Sequence, residues 1–249
     1  INMKNRNKLT DSEIQEEIQK WEEEKRKDLV TKSISSAGIS IKCKSKAQKD
    51  VINSIENKDI SIITGPPGTG KTYLSCAKAL KLLKEQSGTY KKIVLIKSVN
   101  VPKDEEIGYL KGTLEEKMEM YMYPFISNFH KVIGKTATEI LKANGQIEIL
   151  PIKFALGVTL DESIIIIDEA QQISKDNLKT IITRIGQNSK MIFLGDLKQK
   201  SVNKREKSAL EILIEYFSPV PEIGIVELGR DDIVRHPIIK KLEEIFEKI

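Results

Sequence analysis

The stretch "ISIITGPPGTGKT" at residues 60–72 decides the fold, because it joins a strand to a helix through a loop of fixed spacing. Residues 60–65 begin with an apolar, β-branched run that is typical of a buried strand. Residues 71–86, "KTYLSCAKALKLLKEQ", have the composition of a helix. The loop between them matches G-x-x-x-x-G-K-S/T in full, and the pattern requires this strand-loop-helix context. We therefore predict a phosphate-binding loop at residues 65–72.

The chemistry of this loop follows from its residue types. Gly68 and Gly70 allow the backbone to curve around a phosphate with its N–H groups pointing inward. Lys71 would reach the β- and γ-phosphates of a nucleotide, and the Thr72 hydroxyl would ligate Mg²⁺. We therefore predict ATP and Mg²⁺ as ligands. The binding loop would comprise Gly65, Pro66, Pro67, Gly68, Thr69, Gly70, Lys71, Thr72 and Tyr73.

Apolar segments alternate with helix-forming segments along the rest of the chain. This alternation is typical of an α/β fold whose parallel sheet is covered by helices on both faces. We predict a single domain with a mostly parallel sheet flanked by helices. The further predicted strands are residues 92–97, 146–150, 163–170, 190–196 and 223–228, and the further predicted helices are 44–57, 174–187, 204–217 and 236–249.

Two adjacent carboxylates follow the most apolar run of the chain, "SIIIIDEA" at residues 163–170. Ligands bind at the carboxyl ends of the strands in such sheets. Asp168 would hold the Mg²⁺ shell, and Glu169 would orient or deprotonate the water that attacks the γ-phosphate. The alternative is that both carboxylates cap the strand-to-helix turn.

The bulk properties of the chain set broad limits. The 249 residues carry a net charge of +5, which permits a polyanionic partner without requiring one. The sequence contains no apolar stretch near the ~18 residues of a membrane span, and its charged start is unlike a secretory signal. The two cysteines fit a reducing compartment. We predict a cytoplasmic protein without a membrane partner, with a helical extension at residues 1–42 and a P-loop domain at 43–249.

Several segments resemble motifs of superfamily-one helicases. "DEAQ" at 168–171 resembles their motif II, "GDLKQ" at 195–199 resembles motif III, and the segment that starts "KAQKD" at residue 46 resembles their Q-motif. The resemblance implies that Gln199 senses the γ-phosphate and that Gln48 reads the adenine edge with its amide. The alternative for Gln48 is a solvated helix residue.

The resemblance becomes more specific at "EIGYLKGTLEEKM" (106–118), "ITRIGQNSKMIFLGD" (182–196) and "DDIVRHPII" (231–239). Together these segments are similar to the PhoH-like family, over about residues 43–245. The family implies a RecA-like ATPase domain, a ring-shaped homo-oligomer such as a hexamer, and RNA-related activity. The chain departs from the family pattern at Lys97, Leu156 and Val158, where the family has arginines.

Superfamily-one motors bind ATP between two similar domains, and the second domain supplies an arginine. This sequence contains one P-loop domain, so another copy, a partner or a segment that folds back must complete the cleft. Arg184, Arg230 and Arg235 are the arginine candidates. The resemblance favours Arg235 and Arg184, and we expect an ATP site shared between subunits. The alternative for each arginine is a surface ion pair.

The leading hypothesis is Mg²⁺-dependent ATP hydrolysis by a helicase-type P-loop ATPase that acts on RNA or single-stranded DNA. One alternative is a binding module that ATP switches without motor activity. Another is a P-loop kinase, which would require an acceptor pocket. ATPase rates with and without nucleic acid separate a motor from a switch, and phosphate transfer to an acceptor other than water identifies a kinase.

Overall fold

A computed structural model describes residues 38–97, 114–199, 207–235 and 238–246. Contacts along the chain divide it into residues 1–38 and 39–249. Nearly all of the predicted helical extension at residues 1–42 lies outside the described residues. The domain boundary at residue 43 therefore stays a prediction.

The described helices and strands follow the predicted alternation closely. The helices are α1 (Lys46–Asn57), α2 (Lys71–Glu85), α3 (Leu114–Ile133), α4 (Lys135–Ala143), α5 (Ile152–Ala155), α6 (Lys175–Ile182), α7 (Ala209–Phe217) and α8 (Ile238–Phe246). The strands are β1 (Ile60–Thr64), β2 (Lys92–Lys97), β3 (Ile147–Ile149), β4 (Ser163–Asp168), β5 (Lys190–Gly195) and β6 (Ile223–Glu227).

The strands form one sheet in the order β3-β2-β4-β5-β1-β6, and every neighbouring pair is parallel. Helix α2 packs against β2, β4 and β5, whereas α7 packs against β1 and α6. Parallel strands require such crossover helices, which bury the sheet. The predicted α/β class with a RecA-like, parallel P-loop core is confirmed. Within the described residues, no helix combines the length and apolarity that a membrane span requires.

The four isoleucines of β4 explain how a central strand can be apolar without interruption. Ile165 and Ile167 join the apolar cluster beneath α6 and α7. Side chains alternate between the faces of a strand, so Ile164 and Ile166 project to the opposite face, and all four are buried. Both faces of β4 are therefore core. The strand reaches the carboxyl edge of the sheet without a polar side chain until Asp168.

The helix predicted at 204–217 begins only at Ala209, after its capping residue Ser208, and two further predicted boundaries are wrong for tertiary reasons. The strand predicted at 163–170 ends at Asp168, because Glu169 adopts a left-handed backbone and a 3-10 turn follows at Ala170–Gln172. The helix predicted at 174–187 ends at Ile182, because the chain then pairs with the approach to β4. There the Leu160 N–H donates to the Arg184 carbonyl and Gly186 donates back to Leu160. Helical periodicity does not reveal this bridge between distant residues.

The insert between β2 and β3 forms α3, which packs against α2. The sequence leaves open whether its aromatic side chains belong to the core or stack on bases. Met122, Phe125 and Phe129 are buried, so these three belong to the core. Tyr123 is 64% exposed and stays available for stacking. The position of α3 beside α2 places its outer residues next to the phosphate-binding loop.

Candidate active site

A cavity of about 400 Å³ lies at the carboxyl edge of the sheet. The loops after β1, β4 and β5 contribute to it, as do α3 and the segment before α8. Its lining residues are Pro67, Gly68, Gly70, Lys71, Thr72, Tyr73, Pro124, Asn128, Lys131, Asp168, Glu169, Gln171, Gly195, Asp196, Gln199, Val234 and Arg235. The structure therefore brings together most of the site residues that the sequence predicts.

The phosphate-binding loop has the backbone that its glycines suggest. Gly68 and Gly70 have φ angles of 87° and 89°, in the left-handed region that favours glycine. Gly70 precedes α2, so the loop leads directly into the amino end of that helix. The N–H groups there favour an anion. The loop is therefore shaped to hold a phosphate at the start of α2.

Lys71 lies among charged groups at the centre of this cavity. Its ammonium donates to the Gly65 carbonyl at 2.5 Å and to the Pro66 carbonyl at 2.9 Å. Burial lowers the pKa of Lys71, and the nearby carboxylates of Asp196 and Asp168 oppose that shift. The Lys71 ammonium is thus hydrogen-bonded to carbonyls of the loop. A bound phosphate would replace them with stronger, charge-assisted hydrogen bonds.

Asp168 is enclosed at the end of β4. Burial raises its pKa to about 6, and the charge of Glu169 adds to the rise. Lys97 and Lys71 oppose it, and Lys97 is the direct neighbour of Asp168 in the register of β2 and β4. The ionised carboxylate is therefore energetically costly in this position. Strongly shifted pKa values of this kind are typical of functional sites.

We expect Asp168→Asn to stabilise the metal-free and nucleotide-free protein by up to about 3 kcal/mol at pH 7.5. The folded protein holds the proton more tightly than the unfolded chain, whose ordinary pKa is 3.8. Burial of the charge therefore destabilises the fold above about pH 6, and this cost shrinks as the pH falls towards 4 and is absent below it. Urea unfolding in EDTA at pH 7.5 and pH 4 measures the change.

Glu85→Gln removes one negative charge from the exposed end of α2 and serves as the control for this measurement. Its ion pair with Lys81 is 3.7 Å long and exposed, and such pairs contribute little to stability. An Asp168→Asn protein that is less stable than wild type at pH 7.5 would contradict the burial cost assigned to the aspartate.

Glu169 sits in a strained position directly after Asp168. Its φ of 54° and ψ of 40° are left-handed, a conformation that costs a non-glycine residue about 1 kcal/mol. The Gln171 side chain donates from Nε2 to the Glu169 carboxylate at 2.7 Å. The sharp turn at Glu169 ends β4, and the Glu169 side chain lines the cavity.

The segment before α8 folds back over the phosphate-binding loop of its own chain. The Val234 N–H donates to the Gly68 carbonyl at 3.0 Å. A Cβ on Gly68 would lie 3.2 Å from Cγ and Cδ of Arg235, so the arginine stem covers the loop at this glycine. The charge of Arg235 contributes to lowering the pKa of Lys71. Arg235 therefore lies in the cavity of its own subunit.

Arg184 lies elsewhere. It follows α6, and its carbonyl bonds to Leu160, just before β4 begins at Ser163. The six residues of β4 span about 20 Å. Arg184 is therefore at the amino edge of the sheet, and the phosphate-binding loop is at the carboxyl edge. Its guanidinium bonds to the Thr180 carbonyl and the Thr183 hydroxyl. It cannot contact an ATP held by its own chain in this arrangement.

Gln48 lies outside the cavity and is hydrogen-bonded to the phosphate-binding loop. It is 3% exposed and does not line the cavity. Its Nε2 donates to the Thr69 carbonyl at 2.9 Å, and its Oε1 accepts from the Lys44 N–H at 2.7 Å. The amide is thus already bonded to backbone, and the solvated alternative is wrong. Adenine recognition by Gln48 stays a prediction.

Three residues of the predicted phosphate-binding loop, Gly65, Pro66 and Thr69, also lie outside the lining of the cavity.

Several lining residues could not be predicted from the sequence. Pro124, Asn128 and Lys131 come from α3, and their spacing of three to four residues is that of one helix face. That spacing does not indicate which part of the protein this face of α3 packs against. Gln171 and Asp196 belong to the motifs "DEAQ" and "GDLKQ", so the motifs pointed to them without indicating a contact.

The cavity residues fit a magnesium ion bound together with a nucleotide. Thr72 offers a hydroxyl and Asp168 a carboxylate, which are the hard oxygen ligands that Mg²⁺ prefers. Across the described ranges, no group of three or more His, Cys, Asp or Glu side chains could form a metal site of its own. This combination suits Mg²⁺, which usually takes one or two carboxylates and completes its shell with phosphates and water.

Comparison with known families agrees with this geometry. The family model described as PhoH-like protein matches residues 40–247. The chain belongs to the PhoH-like protein family. Family membership and the complete phosphate-binding loop make it a nucleotide-binding P-loop protein.

Relatives in the PhoH-like family come from several bacteria. A PhoH-like protein of Bacillus subtilis is 38% identical over 86% of this chain and 66% of its own length. A PhoH-like protein of Mycobacterium tuberculosis is 32% identical over 86% of this chain and 60% of its own length. Protein PhoH of Escherichia coli is 30% identical over 81% of this chain and 56% of its own length. The chain thus spans somewhat less than two thirds of these relatives.

Solved structures with a similar arrangement are distant. A large terminase from a thermophilic bacteriophage has 13% identity and a TM-score of 0.44, and the match covers 80% of this chain and 49% of the terminase. The Pif1 helicase from Candida albicans has 15% identity and a TM-score of 0.39, over 77% of this chain and 42% of the helicase.

Proposed function

We propose that this PhoH-like chain hydrolyses ATP with Mg²⁺ and couples hydrolysis to RNA or single-stranded DNA as a homo-oligomer. The observation that supports hydrolysis most strongly is the convergence of Lys71, Thr72, Glu169 and Arg235 on one cavity. These residues come from three separate parts of the chain. Each has a side chain suited to one part of phosphoryl transfer.

Each of the cavity residues has a separate proposed role in ATP hydrolysis. Backbone N–H groups of the loop hold the phosphates, and Lys71 leaves the loop carbonyls to contact the β- and γ-phosphates. Thr72 and Asp168 would hold Mg²⁺, which when bound neutralises charge on the phosphate oxygens. Glu169 accepts a proton from water as the water oxygen bonds to the γ-phosphorus and the bond to ADP breaks. Gln199 lines the same cavity. Its proposed role, to sense the γ-phosphate, rests on the resemblance to helicase motif III.

Two arginines are proposed to act from different subunits. Arg235 acts within its own chain, since it covers Gly68 and lies near Lys71. Arg184 acts on the ATP of a neighbouring copy, because it sits at the opposite edge of its own sheet. This division makes a homo-oligomer part of the mechanism. Exposed Ile238, Leu242 and Ile245 on α8 follow Arg235 closely and supply apolar surface for such contacts.

Nucleic acid is proposed as the partner on the basis of the family resemblance, the net charge of +5 and an exposed aromatic beside the cavity. Tyr123 is 64% exposed, and the next residue, Pro124, lines the ATP cavity. A base stacked on Tyr123 would therefore lie close to the bound nucleotide. Stacking of this kind contributes about 1–3 kcal/mol per base and tolerates any sequence.

We expect single-stranded RNA to stimulate ATP hydrolysis at least about 10-fold, and Tyr123→Ala to remove most of that stimulation while basal hydrolysis is kept. The measurement is phosphate release with and without a polyuridine oligomer, together with RNA binding by fluorescence anisotropy. Tyr216→Ala, on the exposed surface of α7, is the matched control because Tyr216 is 60% exposed. ATPase activity that RNA leaves unchanged would favour the nucleotide-switched binding module instead.

The kinase alternative requires a second substrate beside the γ-phosphate. Pro124, Asn128 and Lys131 occupy the wall of the cavity at α3. Phosphate release to water in the absence of any acceptor would exclude a strict kinase. Quantitative transfer to an added nucleoside, alcohol or protein would contradict the hydrolytic function.

A further inference from the structure

The Gln171 side chain is buried and polar, and it lies within the active-site cavity. It is 1% exposed, and both ends of its amide are bonded. Nε2 donates to the Glu169 carboxylate at 2.7 Å, and Oε1 accepts from the Asp196 N–H at 3.2 Å. The backbone N–H of Asp196 can only donate, so it fixes the oxygen of the amide on that side. The amide nitrogen must then face Glu169.

The end of β5 is shaped to admit this side chain. A Cβ on Gly195 would overlap Oε1 of Gln171, because the two atoms would be far too close for a pair that is not bonded. Glycine at position 195 therefore leaves the space that the Gln171 amide occupies. The left-handed backbone of Glu169 is the matching feature at the end of β4, because it turns the chain sharply enough to bring residue 171 under the carboxylate.

Gln171 connects Glu169 with the turn that carries Gln199. The Asp196 N–H that Gln171 holds belongs to the first residue of this turn, and the Asp196 carboxylate and carbonyl accept from Lys198 and Gln199. A displacement of the turn would therefore act directly on the hydrogen bond to Glu169. The carboxylate that would activate water and the turn that would contact the γ-phosphate share one buried amide.

We propose that Gln171 is a positioning residue that orients the Glu169 carboxylate towards the attacking water and ties that orientation to the Gln199 turn. This inference rests on the proposed ATP hydrolysis. A carboxylate on a flexible side chain samples several rotamers, and a general base is effective only in hydrogen-bonding reach of the proton it accepts. The amide selects one of those orientations before ATP arrives. It contributes to turnover and not to the grip on the phosphates.

The test compares Gln171→Leu, which removes both hydrogen bonds at similar volume, with Gln171→Glu. The glutamate keeps the acceptor for the Asp196 N–H but places a second carboxylate against Glu169. Both variants are expected to lower kcat about 10- to 100-fold. The dissociation constant for a fluorescent ATP analogue is expected to change less than about 3-fold, since no phosphate contact is lost. Gln172→Leu and Gln172→Glu are controls at the next residue, which does not line the cavity.

A double mutant separates positioning from general support of the fold. If Gln171 acts through Glu169, then Gln171→Leu should slow a Glu169→Gln protein by less than about 2-fold, because the group that it positions is already gone. Single-turnover hydrolysis of radiolabelled ATP measures the residual rates. A loss that is multiplied in the double mutant would overturn the proposal. So would parallel losses of affinity and kcat. If the leucine variant does not fold, the near-isosteric glutamate variant carries the test.

The outcomes also separate this inference from the proposed function. A wild-type chain that fails to hydrolyse ATP overturns both. In a second outcome, the wild-type chain hydrolyses ATP, the Glu169→Gln variant is inactive and the Gln171→Leu variant keeps the wild-type rate. That outcome overturns only the role of Gln171.

Discussion

Glu169→Gln is expected to bind ATP as tightly as wild type and to hydrolyse it about 100- to 10,000-fold more slowly. The amide cannot accept a proton from water, whereas Lys71 and the loop N–H groups that hold the phosphates are unchanged. Lys71→Ala should instead lose both binding and hydrolysis, because its ammonium is the cation of the phosphate-binding loop. Calorimetric or fluorescence titration gives the affinity, and phosphate release gives the rate.

The chain offers a well-matched control for Glu169. Glu162 also has a left-handed backbone, with φ 48° against 54° for Glu169, and it borders the other end of β4. Glu162→Gln makes the same chemical change at the same kind of backbone position, at the edge of the sheet remote from the cavity. It should hydrolyse ATP at the wild-type rate. A Glu169→Gln protein that is as active as the Glu162→Gln protein would contradict the role of Glu169 as general base.

Mixing two inactive variants should restore activity if Arg184 acts between subunits. Lys71→Ala has no working phosphate-binding loop but keeps Arg184, and Arg184→Ala has the opposite defect. In a ring of mixed subunits, some sites combine the intact loop of one copy with the intact arginine of its neighbour. At equal amounts, random assembly gives about a quarter of the sites both parts. Each arginine is worth about 1,000- to 100,000-fold in rate, so this recovery is large against the background.

For Arg235→Ala, we expect the mixing experiment to restore no activity. Its stem lies against Gly68 of its own chain, so the arginine and the loop are lost or kept together in each site. Mixtures of Lys71→Ala and Arg235→Ala should stay inactive. Arg230→Ala, whose side chain does not line the cavity, should keep wild-type activity. Recovery in the Arg235 mixture, or none in the Arg184 mixture, would contradict the proposed division between subunits.

The sequence predicted those features that depend on neighbouring residues. The loop at 65–72 could be recognised because its glycines, Lys71 and Thr72 lie at fixed spacing in one continuous segment between a strand and a helix. The isoleucines of β4 revealed a buried strand because both of its faces are core. The rule that parallel strands present their carboxyl ends at one edge placed Asp168 and Glu169 at the edge where the cavity lies, and the resemblance to a helicase motif added Gln199.

Contacts between distant segments were not predictable in this way. The sequence named Arg184 and Arg235 together, and only the bridge of Leu160 to the residues after α6 shows that Arg184 lies at the far edge of the sheet. The sequence also gave no sign that the Gln48 amide is bonded to backbone on both sides, and adenine recognition by Gln48 stays a prediction. Motif spacing identifies which residues take part but carries no information on what each side chain faces.

The sequence by itself determined the phosphate-binding loop, the parallel sheet and the two carboxylates at its edge, because strand periodicity and backbone geometry are local properties. Tertiary structure decided which residues complete the cavity. The packing of α3 on α2 places Lys131 opposite the loop, and the return of the chain to Gly68 places Arg235 over it. The space left by Gly195 admits the Gln171 amide between two loops. These arrangements depend on packing between segments far apart in the chain, which no local pattern encodes.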